Sequence, residues 1–302
     1  MARHLVRLGL VFAAALGSLG LGCARGAIPP ASVPPPAATA EVTATSMHEH
    51  VLSTATATPP APTPTVTGTA TAAPIARAAV AVPVAVPVAV PAGIAARVVD
   101  CWPTERRFIA LSFDAGSDAG YTAQILDTLR ERRVLVSFGM TGHWAEQYPD
   151  LMRRIAADGH HLINHTYDHG SFTGVSTGRG PQTSAQRHDQ LRCTEETVRR
   201  LTGAEMRPYF RPPYGDYDAS VNADITTMGY HYNVMWTVDS LGWNGLSASG
   251  IVQRCLARAE PGAILIFHVG AQSQDGPALP ALLDGLKQQG YSFGTVAQLI
   301  EG

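Results

Sequence analysis

From Val98 to Gly302, short continuous apolar runs alternate with stretches in which apolar residues recur every three to four positions. Unbroken apolar runs suit strands covered on both faces, and the longer period suits amphipathic helices between them. The pattern predicts strands over Phe108 to Phe113, Val134 to Gly139, His161 to Asn164, Tyr209 to Arg211, Tyr232 to Val238, Ala263 to His268 and Tyr291 to Thr295. It predicts helices over Thr122 to Glu131, Pro149 to Asp158, Ser184 to Thr202, Ala219 to Met228, Ser249 to Ala259 and Leu279 to Gln289. Gly159, Gly203, Gly229 and Gly290 stand where a left-handed residue commonly ends a helix. Strict alternation of β and α predicts an α/β fold with a parallel sheet covered on both sides, and about seven strands in one domain favour a barrel over an open sheet.

The pattern is absent upstream. Arg3 and Arg7 precede an apolar stretch from Leu8 to Gly22, and Cys23 follows at once. A charged segment before an apolar one too short to cross a bilayer predicts a secretory signal over residues 1–23. The ending "LGLGC" also resembles a bacterial lipobox, with Gly20 where that pattern prefers a branched apolar residue, so a lipid anchor at Cys23, simple cleavage and an uncleaved membrane anchor all stand open. Residues 24–97 are Ala, Pro, Thr and Val with almost no charge, and hold 13 of the 22 prolines. Proline removes backbone donors and small side chains offer little area to offset ordering entropy, so this stretch is expected to be a disordered or polyproline-like linker.

Composition narrows the partners. The formal charge is −2, lysine occurs once, at Lys287, and no basic stripe is visible, which argues against nucleic acid. Export would permit a disulfide, but Cys101, Cys193 and Cys255 make an odd set, so at least one of them has its partner elsewhere or none. A monomer is assumed.

The strand ends carry the chemistry. The predicted strands run into Asp114, "NHTYDH", "RPPYGD", "VDSLGW" and His268, and in parallel α/β folds such ends share one face. Asp114, His165, His169, Arg211, Asp239 and His268 are therefore expected around one rim. His165 and His169, four apart, suit a shared metal ion, and a catalytic zinc wants a third N or O ligand plus an open position for water. Asp114 and Asp118 are the candidate carboxylates. Imidazole is the side chain suited to proton transfer near neutral pH, so His268 suits a proton donor, against the alternative of a satisfied core histidine. Arg211 suits a cation that keeps an acid ionised, and Trp243 an apolar wall for a sugar ring or an acetyl methyl. "GVSTG", Gly174 to Gly178, fits the serine-hydrolase elbow in letters, but lacks the strand before it and the helix after it.

"FDAG", "NHTYDH", "RPPYG", "WTVDSLGW" and "ILIFH" occur in the order of the five motifs of polysaccharide deacetylases, and the segment after Val98 resembles this family, also called NodB-homology or carbohydrate esterase family 4. The resemblance implies a distorted (β/α)7 barrel and a divalent metal, usually zinc. It also implies hydrolysis of N-acetyl or O-acetyl groups on a glycan polymer such as peptidoglycan or a chitin-like chain, the alternatives being an O-acetyl xylan esterase and a non-catalytic glycan-binding module on the same fold. It assigns the general base to Asp114, the metal histidines to His165 and His169, and the base-orienting cation to Arg211. The oxyanion contact falls to the Tyr214 amide and the general acid to His268. Two positions depart from the commonest pattern. Ala115 stands where a third, carboxylate ligand is usual, and Gly242 where an acid partnering the last histidine is usual. Asp118 is the expected substitute for the first, directly or through water, and Asp239 for the second.

Overall fold

The computed structural model describes residues 95–302. The expected signal segment, Cys23 and all of the expected linker except residues 95–97 lie outside the described residues. The elements are β1 (Arg97–Val99), β2 (Phe108–Ala115), α1 (Thr122–Arg132), β3 (Ser137–Met140), α2 (Gly142–Gln147), α3 (Pro149–Ala157), β4 (His161–Asn164), α4 (Ser184–Thr202) and β5 (Tyr209–Phe210). They continue with α5 (Ala219–Thr227), β6 (Tyr232–Val234), β7 (Val238–Asp239), α6 (Ala248–Arg258), β8 (Ile264–His268), α7 (Asp275–Gln288), β9 (Ser292–Gly294) and α8 (Val296–Glu301). All strand pairings are parallel, in the order β1-β6-β5-β4-β3-β2-β8-β7, with β9 also on β2.

This order forces the sheet to curl. β6 and β7 lie six strand steps apart along the ladder, a flat distance of ~29 Å, yet only residues 235–237 join them, a reach of ~14 Å. The run expected as one strand, Tyr232 to Val238, is thus two. The Met235 amide still donates to Val99 on the β1 side, whereas the Thr237 amide donates to Ile264 beside β8, so the chain changes partner in mid-run and brings the two ends of the sheet together. The outcome is the expected distorted barrel of parallel strands with helices outside.

Alternation along each strand sorts the side chains. Ile109, Leu111 and Phe113 of β2, with Leu265 and Phe267 of β8, pack outward in the large core against α1 and α7, and Phe113 stacks on Phe267 with ring centroids 5.0 Å apart. Ala110 and Ile264 face inward, in a second core with Val296, Leu299 and Ile300 of α8, which closes the barrel floor. Ser112 and Asp114 continue the inward row of β2, and His268 that of β8, so above an apolar floor the interior turns polar. Cys193 and Cys255, on α4 and α6, are free thiols.

Candidate active site

Asp114 closes the inward row of β2, and β2 and β3 pair so that Asp114 stands opposite Gly139. Its carboxylate is nearly buried and is met by Arg211, which follows β5 and has no exposed surface. Arg211 Nη1 donates to Asp114 Oδ1 at 2.7 Å, Nη2 to Ser112 Oγ at 2.9 Å and Nε to the Val234 carbonyl at 3.0 Å, so the guanidinium is locked on several sides. Burial alone would raise the Asp114 carboxyl. The Arg211 cation, aided by His165 and His268, more than offsets this and holds it below the ordinary carboxylate value of 3.8.

His165 follows β4 and is almost fully buried. Its Nδ1 lies 2.9 Å from the Arg211 carbonyl, which can only accept, so Nδ1 carries the proton. Its Nε2 then faces Asp114 Oδ2 at 3.4 Å. Burial lowers the His165 pKa and pushes that of His169 down to about 3, so both rings favour the neutral form. The two rings meet edge to face with centroids 4.8 Å apart. Neutral imidazole nitrogen and an ionised carboxylate oxygen, lone pair against lone pair, make a donor set that fits a divalent cation.

The loop holding these histidines is pinned from outside. Asn164 Oδ1 accepts from the Thr166 amide, and Gln190 Oε1 from the amides of Tyr167 and Asp168. Thr166 and His169 have φ of 66° and 61°, and Tyr214 and Leu241, on neighbouring loops of the rim, have 60° each. Left-handed backbone at non-glycine residues costs of order 1 kcal/mol each and persists where the surroundings impose it.

Tyr214 lies in a short 3-10 turn, Pro213–Gly215, with its ring on that of His169, centroids 4.8 Å apart, and is half exposed. Gly215 and Asp216 donate to Pro212 and Pro213, while no acceptor among the described residues takes the Tyr214 N–H. Trp243 is likewise exposed at the rim, its indole N–H donating to both Asp239 carboxylate oxygens at 3.2 and 3.1 Å.

Two expectations meet a different geometry. The Asp239 carboxylate is taken up by Trp243 and by the Leu241 amide at 2.8 Å, and is not the acid beside His268. That acid is Asp275, at the start of α7, whose Oδ2 accepts from the His268 amide at 2.8 Å. Asp118 Oδ1 accepts from the Ala271 amide at 2.8 Å, tying the loop after β2 to the loop after β8. Among the described residues, no three His, Cys, Asp or Glu side chains form a metal-holding group. Ser176 is no elbow nucleophile: its hydroxyl and amide both bind Asp216, at 2.6 and 2.9 Å, in an irregular loop. Ser112, outside the expected set, joins the site through Arg211, and a hydroxyl in the middle of the apolar run "FIALSF" is its signal in the sequence.

Residues 102–233, which carry the buried Asp114–Arg211 pair with His165 and His169 of the rim, match the polysaccharide deacetylase family. The chain belongs to this family, the NodB-homology or carbohydrate esterase family 4 proteins. It is similar to the peptidoglycan-N-acetylmuramic acid deacetylase PdaA of Bacillus subtilis, 32% identical over 200 residues that span 65% of this chain and 73% of that one. It is also similar to a peptidoglycan-N-acetylglucosamine deacetylase of Bacillus cereus, 32% identical over 202 residues covering 66% and 70% of the two chains. The solved structure of Bacillus subtilis PdaA, a family 4 carbohydrate esterase, superposes with a TM-score of 0.61 and 32% identity, over 67% of this chain and 84% of that one.

Proposed function

We propose that this protein hydrolyses the N-acetyl groups of amino sugars in a glycan polymer, with peptidoglycan as the substrate that its relatives favour. The observation that carries this reading is the buried Asp114–Arg211 pair set against His165 and His169 at the rim. It is an anionic base with its protonation fixed, next to a neutral donor pair. His165 and His169 would hold a divalent ion, zinc by donor type, which would polarise the acetyl carbonyl and ease deprotonation of water. Asp118, with one carboxylate oxygen on Ala271, is the third candidate donor.

Each remaining step belongs to the chain's own groups. Asp114, kept ionised by Arg211, accepts the proton of the attacking water. The Tyr214 N–H, lacking an acceptor, is free to bind the carbonyl oxygen as negative charge develops on it. His268 gives a proton to the leaving nitrogen, and acetate departs. Trp243, held by Asp239, walls the site beside the acetyl methyl or the sugar ring.

The N-terminal signal pattern supports action outside the cytoplasm, with the Pro-rich segment as a tether if Cys23 is lipidated. The test is acetate release from peptidoglycan, N-acetylglucosamine oligomers and acetylated xylan, with and without chelator. Chelator-sensitive release from the amino-sugar substrates is expected. Release from xylan alone would move the assignment to an O-acetyl esterase, and release from none would overturn it.

A further inference from the structure

His268 and Asp275 leave a matched pair of loose ends. His268 Nδ1 and Asp275 Oδ1 are both buried atoms without a hydrogen-bond partner. Nδ1 stands 3.9 Å from Asp275 Oδ2, and the Asp275 side chain has no exposed surface. Asp275 is held from three directions: its Oδ2 accepts from the His268 amide at 2.8 Å, Ser273 Oγ at 2.7 Å and Ser240 Oγ at 3.1 Å. A buried carboxylate held this firmly, with one oxygen unused, is costly unless something nearby answers its charge.

The space it occupies belongs to another residue's side chain. A Cβ at Gly242 would fall 2.7 Å from Asp275 Oδ1 and 2.3 Å from Ser273 Oγ. A side chain grown from position 242 would therefore enter the volume that Asp275 fills from α7. We propose that Asp275 is the positioning residue of His268, a carboxylate delivered from the start of α7 into the space above Gly242, where it fixes Nδ1 as the protonated nitrogen.

The inference rests on the deacetylase reading for its consequence. With Nδ1–H turned to Asp275, Nε2 on the opposite edge of the ring is the nitrogen left to serve the reaction. As the C–N bond of the acetamide breaks, its electron pair goes to nitrogen and the proton comes from Nε2 of the imidazolium. The ring is left neutral with its Nδ1 proton in place. Burial pushes the Asp275 carboxyl up, while the hydrogen bonds from Ser273 and the His268 amide pull against it.

The experiment compares the full-length protein with its Asp275→Asn variant, which keeps volume and one acceptor oxygen. Acetate release from an N-acetylglucosamine oligomer is expected to fall ~10-fold or more in kcat. Hydrolysis of an aryl acetate, whose leaving group needs no proton, should stay within about twofold. Nitrogen-15 spectra of the His268 ring are expected to lose the Nδ1–H tautomer. Moving the carboxylate in a Gly242→Asp, Asp275→Gly double variant should restore part of the oligomer activity lost in Asp275→Gly alone. Equal losses on both substrates, or an unchanged tautomer in a folded Asp275→Asn variant, would overturn the proposal. If the parent releases no acetate from any glycan, the deacetylase reading fails and the tautomer measurement alone decides on Asp275.

Discussion

Gly139 lies so close to Asp114 that a methyl group on it would come within 2.2 Å of Asp114 Oδ1. The carboxylate is held in place there, because Arg211 Nη1 donates to the same oxygen at 2.7 Å. Gly139→Ala is therefore expected to lower kcat about 100-fold through displacement of the base by roughly an ångström. The measurement is acetate release beside a thermal unfolding curve. Unaltered kcat in a folded variant would mean that the carboxylate is not held where this geometry puts it.

Arg211→Met removes a cation from a fully buried pair, and destabilisation of about 3–5 kcal/mol is expected in denaturant titrations near neutral pH. The sign with pH follows from Asp114. Its folded carboxyl titrates below the unfolded value of 3.8, so its contribution is fully present above that value and is lost as pH falls through the folded one. Without Arg211 the burial penalty, the largest single influence, is opposed only by His165 and His268, and the shift is expected to reverse. The variant's deficit should then shrink as the solution is acidified, and a deficit constant with pH would contradict this account.

Away from the site, His160 supplies an independent pH test. Its Nδ1 accepts from the Val136 amide at 3.3 Å, so the ring is neutral in the fold, and burial pushes its pKa down from 6.5 to about 4. Between these values the unfolded chain binds more protons, and stability should drop as pH falls from 6.5 towards 4, by on the order of 3 kcal/mol for this group. His160→Gln should flatten that part of the stability curve. An equally steep fall in the variant would assign the loss to other groups, His161 first among them.

The candidate ligands separate by magnitude. Competition titration with zinc is expected to lose at least about 100-fold in affinity for His165→Ala or His169→Ala. About 10-fold is expected for Asp118→Ala, in keeping with an outer donor that also ties down Ala271. Equal losses for all three would place Asp118 on the ion directly.

Asp239 holds the Trp243 indole with both oxygens, so Asp239→Ala should free the ring without touching the base. Steady-state kinetics on the glycan are expected to show KM raised several-fold with kcat within about twofold, the mark of lost binding that is uniform along the reaction. A fall in kcat instead would give Asp239 a part in the chemistry.

What the chain declared in advance was the rim. Continuous apolar strands ending in ionisable residues are a local signal, and Asp114, His165, His169, Arg211 and His268 all fall at or just after β2, β4, β5 and β8. The curling was not local. Tyr232 to Val238 reads as one apolar run, and only the switch from the β1 side to the β8 side divides it. Asp275 was hidden for the same reason. It lies seven residues beyond His268, ahead of Pro277 and Pro280, which obscure the start of α7, and only the fold turns it back on the strand end. Ala115 and Gly242 were legible as gaps, but what fills a gap is a matter of tertiary approach.

The seam where β6 gives way to β7 frees carbonyls that a continuous ladder would have used, and Arg211 takes two of them, Val234 at 3.0 Å and Met235 at 3.5 Å. The cation that sets the charge of the base is thus also the rivet of the barrel. A lineage that abandoned catalysis could not easily discard this residue, because selection for a folded chain alone would keep it. Arg211 is therefore a poor witness to activity among related sequences, whereas Asp114 and His268, which hold no seam, are the positions where loss of function would leave its first trace.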